Sequence, residues 1–220
     1  MTSAALVGVY RARNAERVRA LVDPALARGW QVAWWALDDV VDDLEPLTVG
    51  SGAGPRLALL NRVLERGDVT RLVSLAGRAG LDLAQPARSD AGVDHGITAA
   101  RRLSRARRTS FVEIGPLFVV GPRWRDRVIP FPEERGMGWG LELDWLQLFR
   151  EGCELGIVDA VRVRHEGERG EEYDDVREID RVHAELEALG YRGWSDVQVT
   201  LGTWRPWQRS PGWGHPGEAA

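Results

Sequence analysis

The chain has no lysine: all 29 of its basic residues are arginine. That removes Schiff-base chemistry and the phosphate-binding lysine of a P-loop. It reads as the coding bias of a GC-rich genome rather than as a binding signal. One cysteine, Cys153, excludes an internal disulfide and a multi-cysteine zinc site. No segment comes near the roughly eighteen unbroken apolar residues of a membrane-spanning helix. The N-terminus also lacks the charged-then-apolar order of a signal peptide. The expectation is a soluble, cytoplasmic protein with no transmembrane segment. A formal net charge of −4 leaves no basic footprint of the kind phosphate binding requires, so nucleic acid is not an expected partner. Hydrophobic residues at 44% over 220 positions are enough for one substantial core.

Tryptophan is abundant instead, with ten copies. Trp34, Trp35, Trp124 and Trp145 lie in apolar stretches and read as core. Trp139, Trp204, Trp207 and Trp213 lie among Gly, Pro and Arg, where exposure is expected. Along the chain, residues 4–10 read as a buried strand and residues 15–28 as a helix capped by Asn14 and stopped by Gly29. Residues 31–37 follow as a second strand, with Asp38 and Asp39 at its carboxyl end. This β-α-β order predicts a parallel unit with ligands at the carboxyl ends of its strands.

A glycine-rich turn, residues 50–55, leads into a helix that opens with Arg56; such a turn can cradle phosphate or simply connect. Residues 70–79 read as a helix, 81–85 as a short strand closed by Pro86, and 89–110 as a polar loop with five arginines. That loop is either a solvated segment or a lid facing an anionic ligand. Residues 111–120, apolar apart from Glu113, read as a central strand. Further on, 142–151 reads as a helix, 155–163 as a strand and 176–189 as an amphipathic helix. The predicted organisation is one domain over residues 1–190 and a Trp/Pro-rich tail, 191–220, that wraps and frays.

The densest chemistry lies in Gly138-Trp139-Gly140-Leu141-Glu142-Leu143-Asp144-Trp145, with His165 beyond the next strand. Glycines let backbone approach a ligand, and an aromatic face beside carboxylates suits a sugar ring. A carboxylate in the opening turn of a helix can act as an oriented base, or merely complement the helix dipole.

This order resembles a GT-A-type glycosyltransferase, close to the family-2 nucleotide-sugar enzymes, over about residues 4–167. The resembling residues are Val7 to Tyr10, Asp38, Gly52 to Asn61 with Glu65-Arg66-Gly67-Asp68, Ile114 to Val120, Phe131-Pro132-Glu133, Gly138 to Asp144 and Val158 to His165. The resemblance implies a single α/β domain with a Rossmann-like, mixed and mostly parallel sheet flanked by helices. It also implies transfer of a sugar from a nucleotide-sugar to a hydroxyl of a saccharide, lipid or small-molecule acceptor, with manganese or magnesium as the divalent cofactor. Glu142 matches the first acid of the family's Gly-Trp-Gly-x-Glu-Asp pattern and is the favoured base. Leu143 replaces the second acid, and Asp144 is the other candidate. Asp38, Arg56, Gly138, Trp139 and Gly140 fall where the donor and acceptor would bind, His165 matches the histidine that closes the family's metal site, and Asp68 is a candidate replacement metal ligand.

One departure stands out. The family's Asp-x-Asp strand has no counterpart between Asp68 and Leu81, where a helix begins at once. A relative that lost turnover, an omitted segment, and replacement ligands such as Asp68 or Asp38 all remain open. The alternative function is a non-catalytic carbohydrate- or nucleotide-binding protein. A hydrolase of α/β type is disfavoured by the absence of a Gly-x-Ser-x-Gly elbow.

Overall fold

A computed structural model describes residues 5–36, 38–51, 69–89, 95–115, 117–129, 131–135, 138–163 and 175–213. The chain divides into two compact units, Met1–Leu64 and Glu65–Ala220.

In the first unit, β1 (Ala5–Tyr10), α1 (Ala15–Leu26) and β2 (Gln31–Ala36) form the expected β-α-β unit, with β1 and β2 parallel. A further strand, β3 (Thr48–Ser51), adds to β2 in parallel, giving the order β1-β2-β3. Gly8 faces the Trp34 indole so closely that no side chain would fit. Val18, Val22 and Ala25 of α1 close the core against Leu6, Trp34 and Leu44. Tyr10 is fully buried, and its hydroxyl meets Thr48 Oγ1 at 3.0 Å and accepts the Val41 N–H at 3.2 Å.

The second unit carries α2 (Val69–Arg78), β4 (Leu83–Arg88), β5 (Ala106–Thr109), β6 (Val119–Val120), α3 (Arg125–Val128), α4 (Leu141–Arg150), β7 (Leu155–Val163), α5 (Asp175–Ala188) and β8 (Thr200–Trp204). Its sheet has the order β6-β4-β7-β5-β8. Only β4 and β7 run parallel; the other three pairings are antiparallel. The chain is therefore mixed α/β, but this sheet is mostly antiparallel where the sequence predicts a mostly parallel one. Strand β5 makes the difference: it runs against both β7 and β8 and is tied to β7 by the buried Arg107–Asp159 pair. Helix α2 covers one face through Leu72, Leu75 and Ala76 against Ala84, Val158 and Trp204. Helices α4 and α5 cover the other, through Trp145 against Leu83 and Leu155, and Leu146, Val182 and Leu186 against Ile157.

Three local expectations are corrected. The arginine-rich stretch 89–110 is not a polar loop throughout, because β5 lies inside the sheet with Arg107 fully buried. Arg107 grips Asp159 of β7 with two bonds, Nε to Oδ2 at 2.8 Å and Nη2 to Oδ1 at 2.9 Å. It also donates to the Ile97 and Ala99 carbonyls at 2.6 and 3.0 Å, while Asp159 Oδ1 accepts the Arg101 N–H at 2.9 Å. A charge survives in the interior only when paired and hydrogen-bonded in this way. Trp204 is the second correction: expected exposed in a fraying tail, it is fully buried at the end of β8, which pairs with β5.

The third is the segment 111–120, expected as a central strand. Only β6 is strand, on the edge beside β4. The backbone N–H of Glu113 is taken by the Gln85 side chain at 2.5 Å and that of Ile114 by Glu142 at 3.0 Å, so neither enters a ladder. Strand β4 in turn runs past Pro86 to Arg88, because a register shift between Pro86 and Ala87 accommodates the residue that lacks an N–H. Among the described residues, no helix is long and apolar enough to cross a membrane.

Candidate functional site

The Gly-Trp-Gly turn is a tightly packed helix entry. Gly138 and Gly140 both have left-handed backbone, with φ of +99° and +90°, which disfavours side chains. A Cβ on Gly138 would come 2.5 Å from the Ile114 side chain, and one on Gly140 would come 2.6 Å from Arg135 Nη1. Trp139 is half-buried against the cluster containing Val182 and Leu186, and its carbonyl accepts Arg181 Nη2 at 2.9 Å.

Glu142 follows in the first turn of α4 and is buried. Its Oε1 accepts the Ile114 N–H at 3.0 Å and its Oε2 accepts the Gly140 N–H at 3.2 Å. Burial raises its pKa to about 7, and the Glu113 carboxylate adds to the rise. Backbone N–H groups of Ile114, Glu142 itself and Gly140 pull the other way.

Asp144 points elsewhere, since residues two apart on a helix face away from each other. Both its oxygens are held by the Arg135 fork, at 2.9 and 2.6 Å, and Arg135 also bonds Glu185 of α5. Glu185 is shared with Arg181. This network ties α4 to α5, and it raises the pKa of Arg135 further, first through Asp144.

A chain of polar residues not singled out from the sequence adjoins Glu142 through Glu113. Gln85 and Arg88 stand near the carboxyl end of β4 and are buried, as is Glu113. Arg88 Nη1 pairs with Glu113 Oε1 at 3.0 Å. His95 sits edge-on between Phe111 and Trp194, with ring centroids 4.7 and 5.0 Å away. Its Nδ1 lies 2.7 Å from Gln198 Nε2, an amide donor, which assigns the imidazole proton to Nε2. Burial first, then the Arg88 charge, push its pKa down to about 4. The signal for this group was thin: two polar residues interrupting an apolar strand, and the single charge in the apolar run 111–120.

A histidine kept neutral in the fold costs stability in acid. The unfolded chain takes a proton at His95 below pH 6.5 and the folded chain only near 4, so this contribution is lost as pH falls across that window. The loss is about 3 kcal/mol. The His95→Asn protein keeps an acceptor near the Nδ1 position but does not titrate. Its urea-unfolding free energy is expected to fall less steeply between pH 6.5 and 4. An unchanged slope would show that His95 does not drive the acid loss.

In the first unit, Asp38 closes the loop at the carboxyl end of β2. Its Oδ1 accepts the Ala12 N–H at 2.7 Å, with Arg11 3.9 Å away. Arg56, Asp68 and His165 lie outside the described residues. Among the described residues no group of three His, Cys, Asp or Glu side chains could hold a metal ion, so they do not form a centre for the implied cation. Cys153 is buried, and its thiol is pushed up to about 12 by burial and then by the Asp82 carboxylate. That makes it a poor nucleophile. No protein-family model, curated protein or solved structure matches the chain.

Proposed function

We propose that the chain is a GT-A-type glycosyltransferase that moves a sugar from a nucleotide-sugar to an acceptor hydroxyl, with Glu142 as the base. The observation that carries this reading is the buried Glu142 carboxyl, raised to about 7 in the opening turn of α4. A base is most effective when its pKa lies near the working pH. In the proposed reaction the acceptor oxygen forms a bond to the anomeric carbon as its proton passes to Glu142. The bond from that carbon to the diphosphate oxygen breaks, and the nucleoside diphosphate leaves with the electron pair. The residual lone pair on each Glu142 oxygen leaves room for such a proton.

A second reading, a non-catalytic carbohydrate- or nucleotide-binding protein, draws on the same side chain. Both Glu142 oxygens already accept backbone N–H groups, as a purely structural carboxyl would. Incubation of the full chain with UDP- and GDP-sugars, with and without manganese, separates the two. Release of nucleoside diphosphate supports the transferase. Calorimetric binding with no turnover under any acceptor leaves the binder. Absence of both rejects the two readings together.

A further inference from the structure

Two surface turns of the second unit are bound to each other and present one chemical face. The Arg105 guanidinium donates to the Pro206 carbonyl at 2.6 Å through Nη2, and Arg205 Nη1 donates to the Leu103 carbonyl at 3.4 Å. The Arg105 backbone N–H bonds the Trp204 carbonyl at 2.7 Å. On this frame Arg101, Arg102, Arg205 and Arg209 are exposed. Burial first, then the Arg107 charge, lower the Arg101 pKa; the Asp159 carboxylate raises it and the Arg205 charge lowers it again. None of the ion pairs among the described residues involves these four exposed arginines.

The same two turns carry two large exposed apolar side chains, Leu103 at 62% and Trp207 at 68% exposure. Leu103 is also the one non-glycine residue with positive φ among the described residues, at +60°. Left-handed backbone at a leucine is unfavourable by about 1 kcal/mol or more, and here it sets an aliphatic tip in water.

We infer that these two turns form a docking face for an anionic lipid surface. The charge is complementary: four exposed arginines, with no ion pair among the described residues, concentrate positive charge on a chain whose formal net charge is −4. Tryptophan favours the headgroup level of a bilayer, and leucine gains by entering the acyl boundary. A nucleic acid would use the arginines and stack on Trp207, but it offers Leu103 nothing. The bilayer accounts for every member of the face. No spanning helix is required, since this is attachment at the interface.

Sedimentation of the full chain with vesicles tests the inference. Vesicles of phosphatidylcholine with equimolar phosphatidylglycerol are expected to retain the protein at low salt and release it at high salt, and pure phosphatidylcholine to retain little. The pair Arg101→Gln and Arg102→Gln is expected to weaken partition about tenfold or more. Leu103→Gly relieves the left-handed strain, so the fold is kept while partition falls several-fold; Trp207→Ala should act alike. Failure to bind the anionic vesicles overturns the inference. So does unchanged partition of folded Leu103→Gly and Trp207→Ala proteins, or retention by single-stranded DNA in place of vesicles.

Discussion

Arg107→Met is expected to destabilise the protein by about 3–5 kcal/mol, the magnitude seen when one partner of a buried ion pair is removed. The guanidinium and the Asp159 carboxylate are both fully buried, so water cannot replace what is lost. Methionine fills much of the volume but donates nothing. Asp159 would keep only the Arg101 N–H, and the Ile97 and Ala99 carbonyls would each lose a donor. The double change Arg107→Met with Asp159→Leu removes the stranded charge and should regain part of the loss. Recovery would be incomplete, because the Arg101 N–H and the two carbonyls would remain unpaired. Urea unfolding of the three proteins measures both steps. A loss below about 1 kcal/mol for the single variant would mean that solvent reaches the pair.

Glu142→Gln is expected to change two measurements in separate ways. As the base, Glu142 should be worth about 10²–10⁴-fold in turnover, and the wild-type rate should rise with pH through about 7. Its effect on stability has the opposite slope. A carboxyl whose pKa is raised from 4.5 to about 7 on folding binds its proton more tightly in the folded chain. Its contribution is therefore complete below pH 4.5 and lost as pH rises through about 7, by about 3 kcal/mol. Glutamine does not titrate, so the variant should lack this decline. It should also lose about 1–2 kcal/mol at low pH, because its amide nitrogen cannot accept one of the two N–H groups that Glu142 serves. Full activity in the variant would remove Glu142 from catalysis. A retained decline in stability with pH would remove it from the titration.

Where local patterning and burial agreed, the sequence was readable. Strand β7 runs over Leu155–Val163 as expected, and α4 begins one residue before its expected start. Both alternate or repeat apolar residues with the period of their element. Strand β5 was hidden because Ala-Arg-Arg-Thr looks like surface, and the partner that makes Arg107 internal lies 52 residues away. Strand β8 was hidden for a related reason. Its glycine and flanking Pro and Arg suggest a loose tail, whereas Gly202 admits the Trp213 ring, within 2.6 Å of where a Cβ would stand. Of the candidate site, the Gly-Trp-Gly turn and the helix start could be read directly. The grouping of Gln85, Arg88, Glu113 and His95 could not, since it depends on tertiary placement of segments with no shared motif.

The segment 113–114 has a kinetic meaning. Its two amide protons are each held by a side chain 28 residues away, Gln85 upstream and Glu142 downstream. Neither bond can form from local chain alone: the Glu113 amide needs β4 and the Ile114 amide needs the first turn of α4. Loop closure on both sides must come first. Exchange of these two amides with solvent deuterium is therefore expected to report separately on the docking of β4 and of α4 against this segment.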